Sequence, residues 1–425
     1  MTQSTLAFVI AGATVVLYMS GVIPLAVTSV LEMLAMYASG ILSFTQATAG
    51  FGSSAVLLVI GMSIVGLAFE QVGLAHKLGR FVLRRVGTDE RRFVCLTVLC
   101  TACAASVISS IVVMTIMLQV ADEASVISGG KIRRKNAYMP LAFGAIYGSM
   151  LSSVSAASIV TGSGILAQSA FGREFMLFEP AILGLPILIV MLLFYYFFGY
   201  KLQQRFFDFE EVPPGELIMT SNEAMPVVPA WKQRLTVGVI LGCVICFSIG
   251  VLNTGAVAMI GACVLIITGC IDEKTALRNL NWQVVFIVAG SLGFAKGLSA
   301  SGASEQMTRF VIEHCGVLAS SEYAMCIVYM LIAIIITNFS SNTSCVTIVL
   351  PLAVSTAQSL STEILPFALA VCVGANLSTA MPIACANMSL TTAAGYRIKD
   401  YLRFGGIITT LAAVAAAVML KILFF

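Results

Sequence analysis

Apolar residues run along this chain in long blocks closed by short polar breaks. Blocks at about 5–19, 22–42, 53–70, 137–170, 176–200, 234–250, 254–271, 283–300, 364–390 and 404–425 approach the ~20 residues a helix needs to cross a bilayer. Lipid offers no hydrogen bonds to exposed backbone, so such blocks read as helices. The pattern predicts an all-α polytopic membrane protein with about 10 transmembrane helices. Two further apolar stretches, about 93–127 and 324–360, behave differently.

The charges beside those two stretches set them apart. Lys77, Arg80, Arg84, Arg85, Arg91 and Arg92 precede 93–127, and Lys131, Arg133, Arg134 and Lys135 follow it. Positive clusters stay on the cytoplasmic side, so both flanks lie inside and the stretch returns to the side it left. Glu305, Arg309, Glu313 and Glu322 precede 324–360 and Glu363 follows it, which reads as a return to the outside. Each stretch is therefore expected to be a re-entrant hairpin. The polar loop 201–233, with Lys201, Arg205 and Lys232, is the natural cytoplasmic linker, and counting back puts the N-terminus outside. The first block starts near Leu6 with no Lys or Arg before it and reads as a retained helix rather than a signal peptide.

Composition agrees with this reading. Hydrophobic residues make up 59% and charged residues 10%, against about 25% charged in soluble proteins. Mean hydropathy is +1.00. A soluble enzyme, a disordered chain and a disulfide scaffold are excluded, and a net charge of +3 gives no footprint for nucleic acid. Cys100 and Cys103, like Cys243 and Cys246, have metal-like spacing, but they sit in apolar runs without His or carboxylate beside them and read as packing residues. With only His76 and His314, the chain has little material for a catalytic triad, and no hydrolase or metalloprotease motif falls in a span. It reads as a non-enzyme in the cell membrane.

The two halves align with each other. Gly40–Ala47 matches Gly269–Ala276, and the register continues through Val59/Val288, Gly61/Gly290 and Gly73/Gly302. Ser109–Ala121 matches Ser341–Ala353, and Pro140, Ala142, Gly148, Leu151 and Ser152 match Pro366, Ala368, Gly374, Leu377 and Ser378. Five spans and a hairpin in each half give an odd count, so the halves should be inverted: 1–200 with its hairpin, the linker 201–233, and 234–425 with the other. Inverted repeats with interrupted helices mark secondary transporters whose site lies near the midplane.

Polar residues concentrate at the hairpin tips. Thr337-Asn338-Phe339-Ser340-Ser341-Asn342-Thr343 holds six polar side chains in seven positions, opposite a break at Ser378–Asn387. In hydrocarbon this arrangement is costly unless it lines a site. Hydroxyls, amides and freed carbonyls are hard oxygen ligands suited to Na⁺, and helix N-termini at the tips suit an anion. Neither hairpin interior holds Lys or Arg, so bound cations would supply the countercharge. Glu32 and Lys296 are the isolated intramembrane charges and are functional candidates by position.

Ser341-Asn342-Thr343 followed by Ile348–Pro351 resembles the Ser-Asn-Thr hairpin signature of the divalent-anion:sodium symporter family. Gly40–Ser43, Ala49–Gly52 and Gly395–Asp400 are similar to it as well. The resemblance covers about 20–425. It implies a homodimer, a scaffold domain with a mobile transport domain, an elevator movement, and small dianions such as C4-dicarboxylates, citrate or sulfate. It also implies a second sodium site at Thr337, Ser340, Asn342 and the backbone near Ala384, and substrate ligands at Ser341, Asn342 and Thr343, with Cys385 and Asn387 in the opposing break. Ser109 and Ser110 would serve both the substrate and a first sodium site. There the chain departs from the pattern: it has Ser109-Ser110-Ile111 where the family has Ser-Asn-Thr, and its partner break is Ser155-Ala-Ala-Ser158. The reading is a Na⁺-coupled carrier of a small divalent anion, with proton coupling, exchange of another anion such as sulfate, or a non-transporting membrane protein as the alternatives.

Overall fold

Several helix starts in this chain are marked by short polar side chains. In the computed structural model Ser53 accepts the Val56 amide, Asp89 that of Arg92, Asn253 those of Gly255 and Ala256, and Ser341 that of Ser344, each relieving an otherwise unpaired first-turn N–H. The structure describes residues 2–20, 22–74, 77, 89–209, 228–250, 252–315 and 321–425. His76, Arg80, Arg84 and Arg85 of the first basic flank, and most of the 201–233 linker lie outside the described residues.

The first half runs α1 (Gln3–Ser20), α2 (Leu25–Ala38), α3 (Ser54–Gln71), α4 (Glu90–Ala105), α5 (Ser110–Ile127), α6 (Arg134–Ser149), α7 (Ala157–Gln168) and α8 (Ala181–Phe194). The second runs α9 (Ala230–Ile249), α10 (Thr254–Ile267), α11 (Trp282–Ala300), α12 (Ala303–Cys315), α13 (Glu322–Phe339), α14 (Asn342–Leu360), α15 (Ile364–Asn376) and α16 (Gly406–Phe424). No strand occurs among the described residues. Eight helical segments there are long and apolar enough to cross a membrane, and α1, α2, α10 and α15 are shorter apolar helices. Large side chains such as Leu241, Ile245 and Ile249 face outward from α9, where lipid rather than water is the compatible solvent. The protein is a multi-pass membrane protein.

The two anomalous stretches are helix–turn–helix units, α4–α5 and α13–α14, with turns at 106–109 and 340–341. The blocks 137–170 and 364–390 are each interrupted, close to the breaks expected at Ser155–Ser158 and Ser378–Asn387. The first leaves helix after Ser149 and resumes at Ala157; the second leaves after Asn376 and resumes only in the short helix Ala386–Thr391. The first break, 150–156, holds three serines, and the second, 377–385, holds Ser378, Thr379 and Pro382; hydroxyls offer bonds in place of the helical ladder, and proline cannot join it.

Small residues let the helices approach closely, as they do where lipid removes the hydrophobic drive for helix association. A methyl group on Gly61 of α3 would overlap the Ala258 backbone of α10, and one on Gly290 of α11 would overlap the Ser29 backbone of α2. Gly40 and Gly269 both take left-handed φ, +75° and +67°, before short helices capped by Ser43 and Asp272. In the interior, α6 packs against α4 and α5, and α15 packs against α13 and α14. Every residue from Asn136 to Ser149 of α6 and from Pro366 to Asn376 of α15 is buried. Gly148 sits on the Ala102 backbone and Gly374 on the Met330 carbonyl, so both helix–turn–helix units are held by the same device.

Gly61→Ala and Gly290→Ala should each destabilise the protein by about 1–3 kcal/mol through overpacking. Gly12→Ala, with nothing within 4 Å of the new methyl, should not. Thermal unfolding in one detergent, with the three variants side by side, checks this.

Candidate functional site

The turns of both helix–turn–helix units open on one cavity of about 260 Å³. Ser109, Ser110 and Ile111 line it from the first turn, and Ser341, Asn342 and Thr343 from the second. The break after α6 contributes Ser155–Ser158, and the break after α15 contributes Ala384–Asn387. Asn281 and Gln283 at the start of α11, with Ser63, Val59 and Met62 of α3, complete the wall. None of the lining residues is Lys, Arg, His, Asp or Glu. α5, α7 and α14 all begin at this wall, so the unpaired amides and positive dipole ends of three helices gather around it.

Buried amides tie each turn to the opposite half. Asn376, 2% exposed at the end of α15, accepts from Asn342 Nδ2 at 3.2 Å and exchanges bonds with Ser158 of α7 at 2.8 and 3.0 Å. Its Nδ2 also reaches the Cys372 carbonyl at 2.7 Å. Asn387 Nδ2 donates to Ser110 Oγ at 3.1 Å, so the first turn is held by the second break. Ser152 donates to the Ser106 carbonyl at 2.5 Å, and Ser155 lies against the carbonyls of Ala105 and Ile108, meeting the exposed end of α4. The end of α4 is thus satisfied by polar side chains from another interrupted segment, as backbone at membrane depth requires.

The second turn gathers oxygens. Thr337 Oγ1 lies 2.9 Å from Asn342 Oδ1 and 2.6 Å from the Ala375 carbonyl. Ser340 is 7% exposed and its Oγ has no hydrogen-bond partner. Ala384, within the break, lines the cavity, and the carbonyl that Thr337 reaches is that of Ala375, in the last turn of α15. Ser341 is committed to capping α14, accepting the Ser344 amide at 3.1 Å, while Thr343 and Cys385 face the cavity. The first turn is poorer. Ser109 makes no cap bond, Ser110 is engaged by Asn387, and Ile111 brings no polar atom.

Sequence reading missed Asn376, the centre of the brace, and its partner Ser158. The signal was an amide alone in the apolar run Phe367–Leu377, an expensive placement unless bonded. Glu32 and Lys296 do not line the cavity. Asn376→Ala should lower stability by about 1–3 kcal/mol, since it leaves buried partners unsatisfied. The same variant should remove uptake, and thermal unfolding paired with vesicle uptake measures both effects.

Comparison with known proteins places this architecture. An uncharacterized transporter of Synechocystis is 23% identical over 49% of this chain, and the match spans about a third of that protein, 34% of its length. The sodium-dependent dicarboxylate transporter SdcS of Staphylococcus saprophyticus is 20% identical, with 85% of this chain and 74% of SdcS covered. Among solved structures the YdaH transporter of Alcanivorax borkumensis superimposes with a TM-score of 0.61 at 12% identity, covering 89% of this chain and 87% of that one, and shares the fold. The citrate transporter family model matches residues 15–374, and the chain belongs to that family, among the divalent-anion:sodium symporters its second hairpin resembles.

Proposed function

We propose that this secondary transporter of anions carries small di- or tricarboxylates together with Na⁺, the two bound side by side in the cavity between the helix–turn–helix turns. One observation carries the reading: the cavity is polar, lined by helix N-termini, and free of charged side chains. A dianion placed there has amides and hydroxyls to bond to but no fixed positive charge, so cations must enter with it. The oxygen cluster of Thr337, Asn342, Ser340 and the Ala375 carbonyl is the natural Na⁺ position. Ser110, Ser341, Thr343, Cys385 and Asn387 surround the anion. At about 260 Å³ the cavity lies below the roughly 300–1,000 Å³ of sites for drug-sized ligands and suits an anion of few carbons. Relatives named as dicarboxylate transporters support this substrate class.

The proposed movement is an elevator in a homodimer, with the two helix–turn–helix units, α6 and α15 travelling against the remainder. The proposed frame is a pair of inverted halves, 1–200 and 234–425, joined by the linker 201–233. The exchange of partners supports it: α3 packs on α10 and α11 on α2, through glycines that the aligned halves place at equivalent positions. Cysteines replacing Arg133 and Glu363 on a cysteine-depleted background should label from opposite membrane faces. Labelling from one face would end the inverted reading.

Moving a dianion inward against ~100 mV costs about 4.6 kcal/mol, and each Na⁺ carried in returns about 2.3 from the potential. The sparser first turn supports one Na⁺ of full affinity rather than two. Uptake of succinate or citrate into proteoliposomes should therefore rise with an approximately first-order Na⁺ dependence. Asn342→Ala should reduce the Na⁺-dependent component about tenfold or more, the equivalent of one lost interaction of ~1.4 kcal/mol. A Hill coefficient clearly above one would restore the first site, and uptake indifferent to Na⁺ would overturn the coupling.

A further inference from the structure

A second cavity, of about 220 Å³, lies where the first helix–turn–helix unit meets the end of α8. Glu90 at the start of α4 lines it, Lys131 and Arg133 come from the connection between α5 and α6, and Lys135 comes from the first turn of α6. Gln204 and Phe207 close it from the helical segment that continues α8 to Phe206. It shares no lining residue with the transport cavity.

Three of these side chains are cations and one is a carboxylate, in contrast to the uncharged wall of the transport cavity. The carboxylate is already committed. Glu90 Oε1 accepts the Arg133 amide at 2.7 Å and Asn136 Nδ2 at 3.0 Å, and Oε2 accepts Tyr200 Oη at 2.5 Å. Lys135 Nζ donates to the Phe209 carbonyl at 2.6 Å, a neutral partner that leaves its charge in place. Lys131 and Arg133 form no ion pair among the described residues. α6 also starts here without a capping side chain, so its first-turn amides and the positive end of its dipole add to the field. A concave site with positive charge in excess suits an oxyanion with several acceptor oxygens, as phosphate has.

The surroundings select the source of the phosphate. Val126 and Ile127, at the end of α5, are 59% and 76% exposed, and Phe197 and Phe198, on the continuation of α8, are 57% and 67% exposed. Large apolar groups displayed side by side suit lipid rather than water. The Arg91 guanidinium lies 4.1 Å from the centre of the neighbouring Tyr196 ring, and amphipathic rings with cations belong to the headgroup layer. Lys131 follows Ile127 by four residues and Gln204 follows Phe198 by six, so on both segments apolar surface gives way to the cavity within two turns. An anionic phospholipid can lay its acyl chains on the apolar groups and its phosphate in the cavity. A free phosphate uses only the cavity.

We propose that this cavity binds the phosphate of an anionic phospholipid, with Lys131 and Arg133 as its principal cations and the start of α6 behind them. Basic pockets between transmembrane helices on the cytoplasmic side take such headgroups, and the basic residues here are those that the positive-inside rule assigns to the cytoplasm. A bound headgroup joins the start of α4, the α5–α6 connection and the continuation of α8, and so stabilises the folded chain. The inference is independent of the transported anion and of the coupling ion.

Thermal unfolding of the purified, delipidated full chain in detergent tests it, in K⁺ buffer without carboxylates. Added phosphatidylglycerol should raise the transition temperature, whereas phosphatidylcholine or inorganic phosphate at the same concentration should not. When Lys131→Gln and Arg133→Gln are combined, the half-maximal effect should need about thirtyfold more phosphatidylglycerol, the loss expected for two cations. Lys274→Gln, which removes an exposed cation elsewhere, should leave the response unchanged. If the double variant does not fold, Lys131→Gln alone, in the connection between helices, should need about fivefold more. No shift with phosphatidylglycerol, an equal shift with phosphatidylcholine, or a shift that the Lys131 variant leaves untouched overturns the proposal. A shift produced by inorganic phosphate alone assigns the cavity to a free anion and overturns the lipid.

Discussion

A helix that stops inside hydrocarbon leaves up to four amides or four carbonyls without partners, and lipid can meet none of them. Both helix–turn–helix units stop there, and so do α6 and α15. The chain meets this constraint by bringing all of these ends to one place. Ser155 covers the end of α4, Asn387 holds Ser110, and Asn376 ties Asn342 to Ser158. The cavity follows from this meeting of interrupted helices. The groups that keep the backbone bonded also form its polar wall, and the helix starts that remain are donors facing its interior.

The charge balance of the site follows from the same geometry. Side-chain cations are absent from the wall, so positive potential there comes from helix N-termini. In the proposed reading, a dianion bound there is uncompensated unless a cation enters with it. Packing is supplied separately. Gly61, Gly290, Gly148 and Gly374 set helix against helix through backbone contact, leaving the polar side chains free for the turns and breaks. Glu32 sits on a helix held by glycine packing and accepts from Tyr18.

Much of this was legible in the sequence. Apolar block length gave the membrane class and most helices, and the charge flanks isolated the two helix–turn–helix stretches, because those signals depend on composition alone. The cluster Thr337–Thr343 stood out because six polar residues in hydrocarbon demand a reason. The interruptions at 150–156 and 377–385 had a weaker signal, since serine, alanine and isoleucine are as common in intact transmembrane helices. Asn376 was missed for a different reason. A single amide in an apolar run carries no spacing, and its meaning lies in Ser158 and Asn342, far away in sequence. The resemblance implies backbone near Ala384 for the sodium site; that Thr337 also reaches the Ala375 carbonyl could not be read, because sequence does not reveal where α15 ends.

The central claim is that anion and Na⁺ occupy one charge-free cavity and bind together. Thermal unfolding of the purified protein with di- and tricarboxylates, in matched Na⁺ and K⁺, tests it most directly. A ligand at a hundredfold excess over its dissociation constant stabilises the folded state by about 2.7 kcal/mol. The account predicts a rise in transition temperature for a carboxylate in Na⁺ and none in K⁺. An equal rise in both salts, or none with any carboxylate in Na⁺, would contradict it.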